Sequence, residues 1–181
     1  MGPVDRVRIV VMGVAGSGKT TVGIALAERL AVAFVDADSL HPPANVAKMA
    51  AGHPLDDTDR WPWLERVRDV LGRDDGVVIA CSALKRRYRD LLREAGGVRF
   101  VFLDLDPSTA HDRAEQRTGH YMGAAMVASQ FDALERPTDE PDVVIVDATL
   151  PVARVVAAAL PPSPPPPRLT VPGATPRAHL R

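Results

Sequence analysis

A single cysteine, Cys81, is present in the 181-residue sequence, so no disulfide can close within the chain. Lys and Arg number 22 against 23 Asp and Glu, and the resulting formal net charge of −1 gives no general attraction to nucleic acid or to an anionic membrane. No apolar run approaches the length of a membrane span. Arg6 and Arg8 do precede an apolar stretch, but the glycine-rich segment 13–19 interrupts it too early for a signal peptide. Asparagine is limited to Asn45, which Val46 follows, so the Asn-Lys-x-Asp element that reads guanine is missing. These absences argue against a disulfide scaffold, a membrane-spanning protein and a guanine switch. They leave small molecules as the expected partners, with no nucleic acid and no membrane, and the cytoplasm as the expected location.

What is present begins with Gly13-Val14-Ala15-Gly16-Ser17-Gly18-Lys19-Thr20, which fits the spacing G-x-x-x-x-G-K-[ST]. Glycines allow the backbone to adopt φ > 0 and to approach phosphate oxygens that a Cβ would keep away. Lys19 supplies charge for the β- and γ-phosphates, Thr20 a hydroxyl for Mg²⁺, and the helix that follows directs its positive end at the same anion. The flanks agree, since Arg8-Ile9-Val10-Val11-Met12 is a short β-rich run and residues 21–30 have helical spacing. A dinucleotide-binding turn is the competing reading, because Asp36 and Asp38 lie about 20 residues downstream, where a ribose-binding acid would sit. Its third glycine would fall at Thr21, however, and it has no use for Lys19-Thr20.

Apolar runs alternate with helical stretches to about residue 160, the pattern of an α/β protein with a largely parallel sheet. Five strands are expected, at 8–12, 33–36, 76–81, 98–105 and 142–146. Val77-Val78-Ile79-Ala80 and Val143-Val144-Ile145-Val146 are apolar throughout, as strands covered by helices on both faces must be. Right-handed crossovers place all the strand ends on the side of the glycine-rich loop, where open α/β sheets bind ligands. Residues 1–160 are therefore expected to form one domain built around this loop. From Pro161 the chain turns proline-rich, and residues 161–181 are expected to be a disordered tail, with a proline-rich docking segment as the alternative.

The strand-end rule selects Asp36-Ala37-Asp38, whose two carboxylates are expected on one side of a strand. One would hold hydrated Mg²⁺ and the other accept a proton from an incoming hydroxyl; an N-cap and a turn residue are the plainer alternative. None of the apolar strands is read as ending in the aspartate that often serves the metal in such proteins, which leaves Asp36 for that place. His41 precedes a helix expected to start at Pro43 and to carry Asn45, Lys48 and Met49 on one side. An acidic turn, Asp56-Asp57-Thr58-Asp59, leads to Arg60, whose planar fork suits a substrate carboxylate. In Cys81-Ser82-Ala83-Leu84-Lys85-Arg86-Arg87-Tyr88-Arg89, Cys81 reads as a small buried residue and Lys85 as a neutralising charge. Most of Arg86, Arg87 and Arg89 read as a solvated face. Arg113 and Arg117 are one helical turn apart before a Gly-containing loop, so residues 117–123 are expected to form a lid that excludes water. Surface arginines are the alternative.

Taken together, these residues resemble the gluconokinases, a family of P-loop small-molecule kinases related to shikimate kinase. The resemblance covers about residues 8–158. It runs through Asp36-Ala37-Asp38-Ser39-Leu40-His41-Pro42, Gly52-His53-Pro54-Leu55-Asp56-Asp57, Asp59-Arg60-Trp61-Pro62-Trp63-Leu64, Cys81-Ser82-Ala83-Leu84-Lys85, Ser129-Gln130-Phe131 and Leu134-Glu135-Arg136-Pro137. It implies a P-loop NTPase three-layer fold with a five-stranded parallel sheet in the order 2-3-1-4-5, and phosphorylation of D-gluconate by ATP with Mg²⁺. Such enzymes are often dimers, so a homodimer is among the implications. Carried over by position, residues 13–21 with Arg113 and Arg117 would hold the nucleotide, and Thr20 and Asp36 the metal. Lys19, Asp38 and Arg117 would be catalytic. Asp38, His41, Lys48, Arg60, Ser82, Lys85 and Gln130 would contact the acceptor, with Arg60 on its carboxylate. Shikimate kinases usually have glycines where this chain has Cys81-Ser82-Ala83, which favours gluconate over shikimate. A kinase for another hydroxy acid and a nucleotide-binding regulatory module without turnover are the alternatives.

Overall fold

A computed structural model of the chain describes residues 6–73, 76–118 and 122–160. In order they form β1 (Arg8–Met12), α1 (Lys19–Leu30), β2 (Ala33–Asp36), a 3₁₀ turn (Ala37–Leu40), α2 (Pro43–Ala50) and α3 (Asp57–Leu71). Then come β3 (Val77–Ala80), α4 (Arg86–Arg93), β4 (Arg99–Asp104), α5 (Pro107–Thr118), α6 (Met122–Ala133), β5 (Val143–Asp147) and α7 (Val152–Ala159). All four strand pairings are parallel and the order is β2-β3-β1-β4-β5, as expected. The expected strands at 76–81, 98–105 and 142–146 differ from the observed ones by one residue at their ends. The proline-rich segment 161–181 lies outside the described residues.

The continuous apolar runs are explained by two separate cores, one on each face of the sheet. Alternate residues of a strand point to opposite faces, and Val11 and Val78 enter one core while Val10 and Ile79 enter the other. The first core is closed by Val22 and Leu26 of α1, Ala110 and Ala114 of α5, Val127 of α6 and Val155 of α7. The second is closed by Trp63, Leu64 and Val67 of α3 and by Leu91 and Leu92 of α4. Trp63 also donates its indole N–H to the Ala37 carbonyl at 2.7 Å, fixing the 3₁₀ turn to α3. A side chain of that size buried with its polar atom satisfied contributes about 2–3 kcal/mol.

Helix ends are placed by local chemistry. Asp56 caps α3: its carboxylate accepts from Asp59 N at 2.9 Å while the Asp59 carboxylate accepts from Asp56 N at 2.9 Å, a capping box. Asp59 is thus the third helical residue. Pro43 opens α2, where its fixed φ and missing N–H cost nothing. α1 begins at Lys19, two residues before the expected helical spacing, so Lys19 and Thr20 lie in its first turn.

Arg86 and Arg87 are exposed, as expected of most of this basic run, and Arg89 is the exception. Arg89 is not on a solvated face but is 0% exposed, paired with Glu140, which is itself buried. Removing either partner would leave an uncompensated buried charge, at a cost of about 3–5 kcal/mol.

Candidate active site

The glycine-rich loop joins central strand β1 to α1. Gly18, at φ 92°, is the N-cap of α1, and no side chain caps the helix there. A Cβ built on Gly18 would meet nothing within 4 Å, whereas one on Gly16 would come within 2.9 Å of the Ala110 carbonyl. Gly16 therefore lets the loop pack onto α5, and Gly18 leaves the helix start open. That uncapped start, with its positive end, borders a cavity of about 280 Å³ whose lining includes Gly16, Gly18, Lys19, Thr20, Asp36, Asp38, Ser82 and Gln130. Lys19 Nζ donates to the Val14 carbonyl at 3.0 Å, arching over the loop. Ser17 is buried with its N–H on the Val14 carbonyl at 3.2 Å, and Gln130 Oε1 accepts from Ala15 N at 2.6 Å. This donor set fits a phosphate chain.

On the opposite wall, Thr20 Oγ1 lies 3.4 Å from Asp36 Oδ2, while Asp36 Oδ1 accepts from Asp38 N at 3.0 Å. The two aspartates do not share a strand face, as alternation had suggested, because β2 ends at Asp36 and Asp38 belongs to the 3₁₀ turn that Asp36 caps. Both nevertheless line the cavity. The described residues contain no cluster of three metal-ligating side chains. Thr20 and Asp36 suit Mg²⁺ on different grounds, since that ion keeps most of its waters and needs one or two protein oxygens. The reading that no strand ends in aspartate needs correction. β4 ends in Asp104 and β5 in Asp147. Their side chains are engaged elsewhere: Arg136 grips Asp104 through both nitrogens at 2.9 and 2.6 Å, and Asp147 accepts from Thr149 N and Oγ1.

The segments that carry the expected acceptor residues are joined by charge pairs across long stretches of sequence. The Asp57 carboxylate receives Lys85 Nζ at 3.1 Å, the Arg87 guanidinium and the Tyr88 hydroxyl. Those contacts, the Tyr88 hydrogen bond foremost, outweigh desolvation and hold its pKa down to about 2. Arg60 Nη1 lies 3.5 Å from the same Tyr88 hydroxyl. Lys48 Nζ meets Asp59 Oδ2 at 2.5 Å, and Asn45 donates to the Asp59 carbonyl at 2.8 Å, tying α2 to the start of α3. His41 stacks on Trp63 with ring centroids 4.3 Å apart, and its Nδ1 lies 3.3 Å from Asn45 Nδ2. Burial lowers its pKa, with Asp38 pulling the other way and Arg60 adding to the fall. Met49 is exposed. Of the expected acceptor residues, Asp38, Ser82 and Gln130 line the cavity, and His41, Lys48, Arg60 and Lys85 are not among its lining residues. Cys81 lines it too, but burial pushes its thiol up to about 12, so it is inert at neutral pH.

A second cavity of about 300 Å³ adjoins the loop, lined by Gly16, Ser17, Thr21, Val22, Arg113, Gln116, Ala148 and Leu150 among others. Arg113 Nη1 donates to the Ala148 carbonyl at 3.1 Å and reaches the Gly16 carbonyl at 3.5 Å. Arg117 ends α5 with Thr118, but its side chain lies outside the described residues, as do residues 119–121 of the expected lid. Sequence reasoning missed Asp57, Arg89 and Glu140. The opposite signs of the acidic turn and the arginine-rich helix were the available signal, and nothing local paired them.

A phosphate loop on the central strand of a 2-3-1-4-5 sheet, facing two carboxylates, defines a P-loop kinase of small molecules. The shikimate kinase family model matches residues 15–139. The thermosensitive gluconokinase of Escherichia coli K12 is 45% identical over 81% of this chain and 81% of its own length. The gluconokinase of Gluconobacter oxydans is 46% identical over 76% and 80%. Among solved structures, a gluconokinase from Sinorhizobium meliloti is 48% identical with a TM-score of 0.79, over 85% of this chain and 89% of that one. An APS kinase of Mycobacterium tuberculosis, at 21% identity and a TM-score of 0.63, shares the fold. The chain belongs to the gluconokinase family, within the shikimate-kinase-like kinases.

Proposed function

We propose that this chain transfers the γ-phosphoryl group of ATP to the terminal hydroxyl of D-gluconate, giving 6-phospho-D-gluconate. The observation that carries the reading is one cavity joining Lys19 and the uncapped α1 start to Asp36, Asp38 and Ser82. Relatives named gluconokinase, 44–46% identical over most of the chain, supply the acceptor's identity.

Roles follow from position. Backbone groups of residues 13–20 surround the phosphates, with Thr21 and Arg113 on the base side, where the second cavity lies. Lys19 neutralises the transferred group. Asp38 accepts the acceptor's proton, and Arg60 and Lys85, with the Tyr88 hydroxyl beside Arg60, form the wall that meets the gluconate carboxylate. His41, Lys48 and Gln130 hold this wall and the loop in place. Thr20 and Asp36 would hold Mg²⁺, which when bound neutralises phosphate charge. In a loose transition state, positioning and charge neutralisation supply most of the acceleration and the base contributes less. The active species is proposed to be a cytoplasmic homodimer, which light scattering of the purified chain checks.

A coupled ADP-release assay across gluconate, shikimate, other sugar acids and nucleoside monophosphates tests the function. Gluconate is expected to give the highest kcat/KM. Absence of turnover with gluconate overturns the reading, and acceptor-independent nucleotide binding alone would mark a regulatory module.

A further inference from the structure

We infer that Arg89 is a positioning residue for the acceptor side of the transfer, holding the loop 81–85 in the one shape that presents Ser82 to the phosphate cavity. This rests on the phosphoryl-transfer reading above. All five guanidinium N–H groups of Arg89 are spent. Nε and Nη2 meet the Glu140 carboxylate at 2.9 and 2.5 Å. Nη1 donates to the Ala83 and Leu84 carbonyls at 2.9 and 3.1 Å, and Nη2 to the Glu135 carbonyl at 3.0 Å. A buried arginine that served stability alone would need its carboxylate partner; this one also seizes two consecutive carbonyls of the loop that leaves β3.

The loop requires such a grip. Ala83 has φ 44°, a left-handed conformation that a residue with a Cβ adopts under constraint, and it is 2% exposed. That turn aims the Ser82 carbonyl at Gly13 N, 3.4 Å away, where the glycine-rich loop begins. Glu135 closes the other side, its N–H on the Leu84 carbonyl at 2.9 Å and its carboxylate accepting from Arg86 N at 2.6 Å. Residues 82, 83, 84 and 86 are therefore each fixed through the backbone, and Arg89 makes the two central contacts. Ser82 shares its cavity with Lys19 and Asp38, so a shift of this loop displaces the acceptor hydroxyl relative to the transferred group. A displacement on the order of 1 Å costs about 100-fold in rate. The base-side cavity is lined by neither this loop nor Arg89, so such a shift falls first on the transfer cavity.

The test uses the full chain with D-gluconate and MgATP and compares Arg89→Lys with Ala83→Gly. Lysine keeps the charge for Glu140 but cannot fork across two carbonyls. Glycine adopts φ > 0 freely, so the loop loses its single shape without a new clash. Expected for Arg89→Lys is a fall in kcat/KM for gluconate of roughly 100-fold, with the ATP dissociation constant within about twofold of the parent. Ala83→Gly is expected to show the same acceptor-specific loss, roughly tenfold, with a melting temperature within about 3 °C of the parent. Should Arg89→Lys not fold, Ala83→Gly carries the test alone. Unchanged gluconate kinetics in Ala83→Gly, or equal losses toward ATP and gluconate in Arg89→Lys, overturns the inference. A parent protein that does not phosphorylate gluconate sinks the functional reading instead, and the two failures are distinct.

Discussion

The proposed donor and acceptor halves of the site are held by different physics. Around the glycine-rich loop the work falls to backbone: a helix start without a side-chain cap, a glycine at φ 92°, and a loop N–H held by Gln130. Around the acceptor it falls to ion pairs and side-chain hydrogen bonds, Asp57 with Lys85, Arg87 and Tyr88, Lys48 with Asp59, and Arg89 with Glu140. A backbone cradle recognises what all nucleoside triphosphates share and is insensitive to pH. A charge network can be re-tuned residue by residue to a new acceptor, and it weakens when its carboxylates are protonated. Common chemistry is thus written in the main chain and particular chemistry in the side chains.

That contrast is sharpened first at Lys19. Lys19→Ala is expected to lower kcat roughly 1,000-fold with little change in melting temperature, since it removes charge from the transferred group and leaves the backbone cradle intact. Steady-state rates with a thermal melt decide this, and normal turnover would break the donor assignment. Asp38→Asn should cost less, about 100-fold in kcat, because little proton transfer is complete in a loose transition state. If the aspartate variant proved the more damaged of the two, chemistry at the acceptor rather than charge at the donor would dominate. Arg60→Lys is expected to raise KM for gluconate about tenfold while leaving KM for ATP unchanged, as a bidentate site loses its fork. Parallel changes in both constants would show that the two halves are not separable.

The smallest effect is one of pH. Asp57 and Glu140 both titrate lower in the folded chain than unfolded, each near 2. For Asp57 the Tyr88 hydrogen bond leads; for Glu140 burial pushes upward and the hydrogen bonds from Arg89 and Arg93 overcome it. A depressed carboxylate stabilises the fold fully above its unfolded value and loses that contribution as pH falls through the folded one. Melting temperature should therefore be flat above about pH 5 and fall steadily toward pH 2. Asp57→Asn should flatten part of that slope, and a slope unaltered by the substitution would remove Asp57 from the network.

The same contrast decides what could be read from the chain alone. Eight contiguous residues carry the donor loop, and their spacing, with a strand before and a helix after, made it legible. Strand runs such as Val77-Val78-Ile79-Ala80 were legible for a similar reason, since burial on both faces leaves an uninterrupted apolar signature. Arg89 was not legible. Its helix is rich in basic residues, and what separates a buried arginine from a solvated one is Glu140, 51 residues further along. Asp38 was found by the strand-end rule though its local geometry was misjudged: Asp36 turns its own carboxylate back to Asp38 N and stops the strand. Strand termination by a side chain depends on which rotamer wins, and periodicity carries no record of that.

The contact from Gly13 N to the Ser82 carbonyl has a consequence for how such a protein can change over generations. It lies just past the last paired residues of β1 and β3, and it is made of main-chain atoms only. Side chains at 82 and 85 can be exchanged, and new acceptors tried, while that contact keeps the two substrates in step. Acceptor preference is free to drift; the distance over which the phosphoryl group must travel is inherited unchanged.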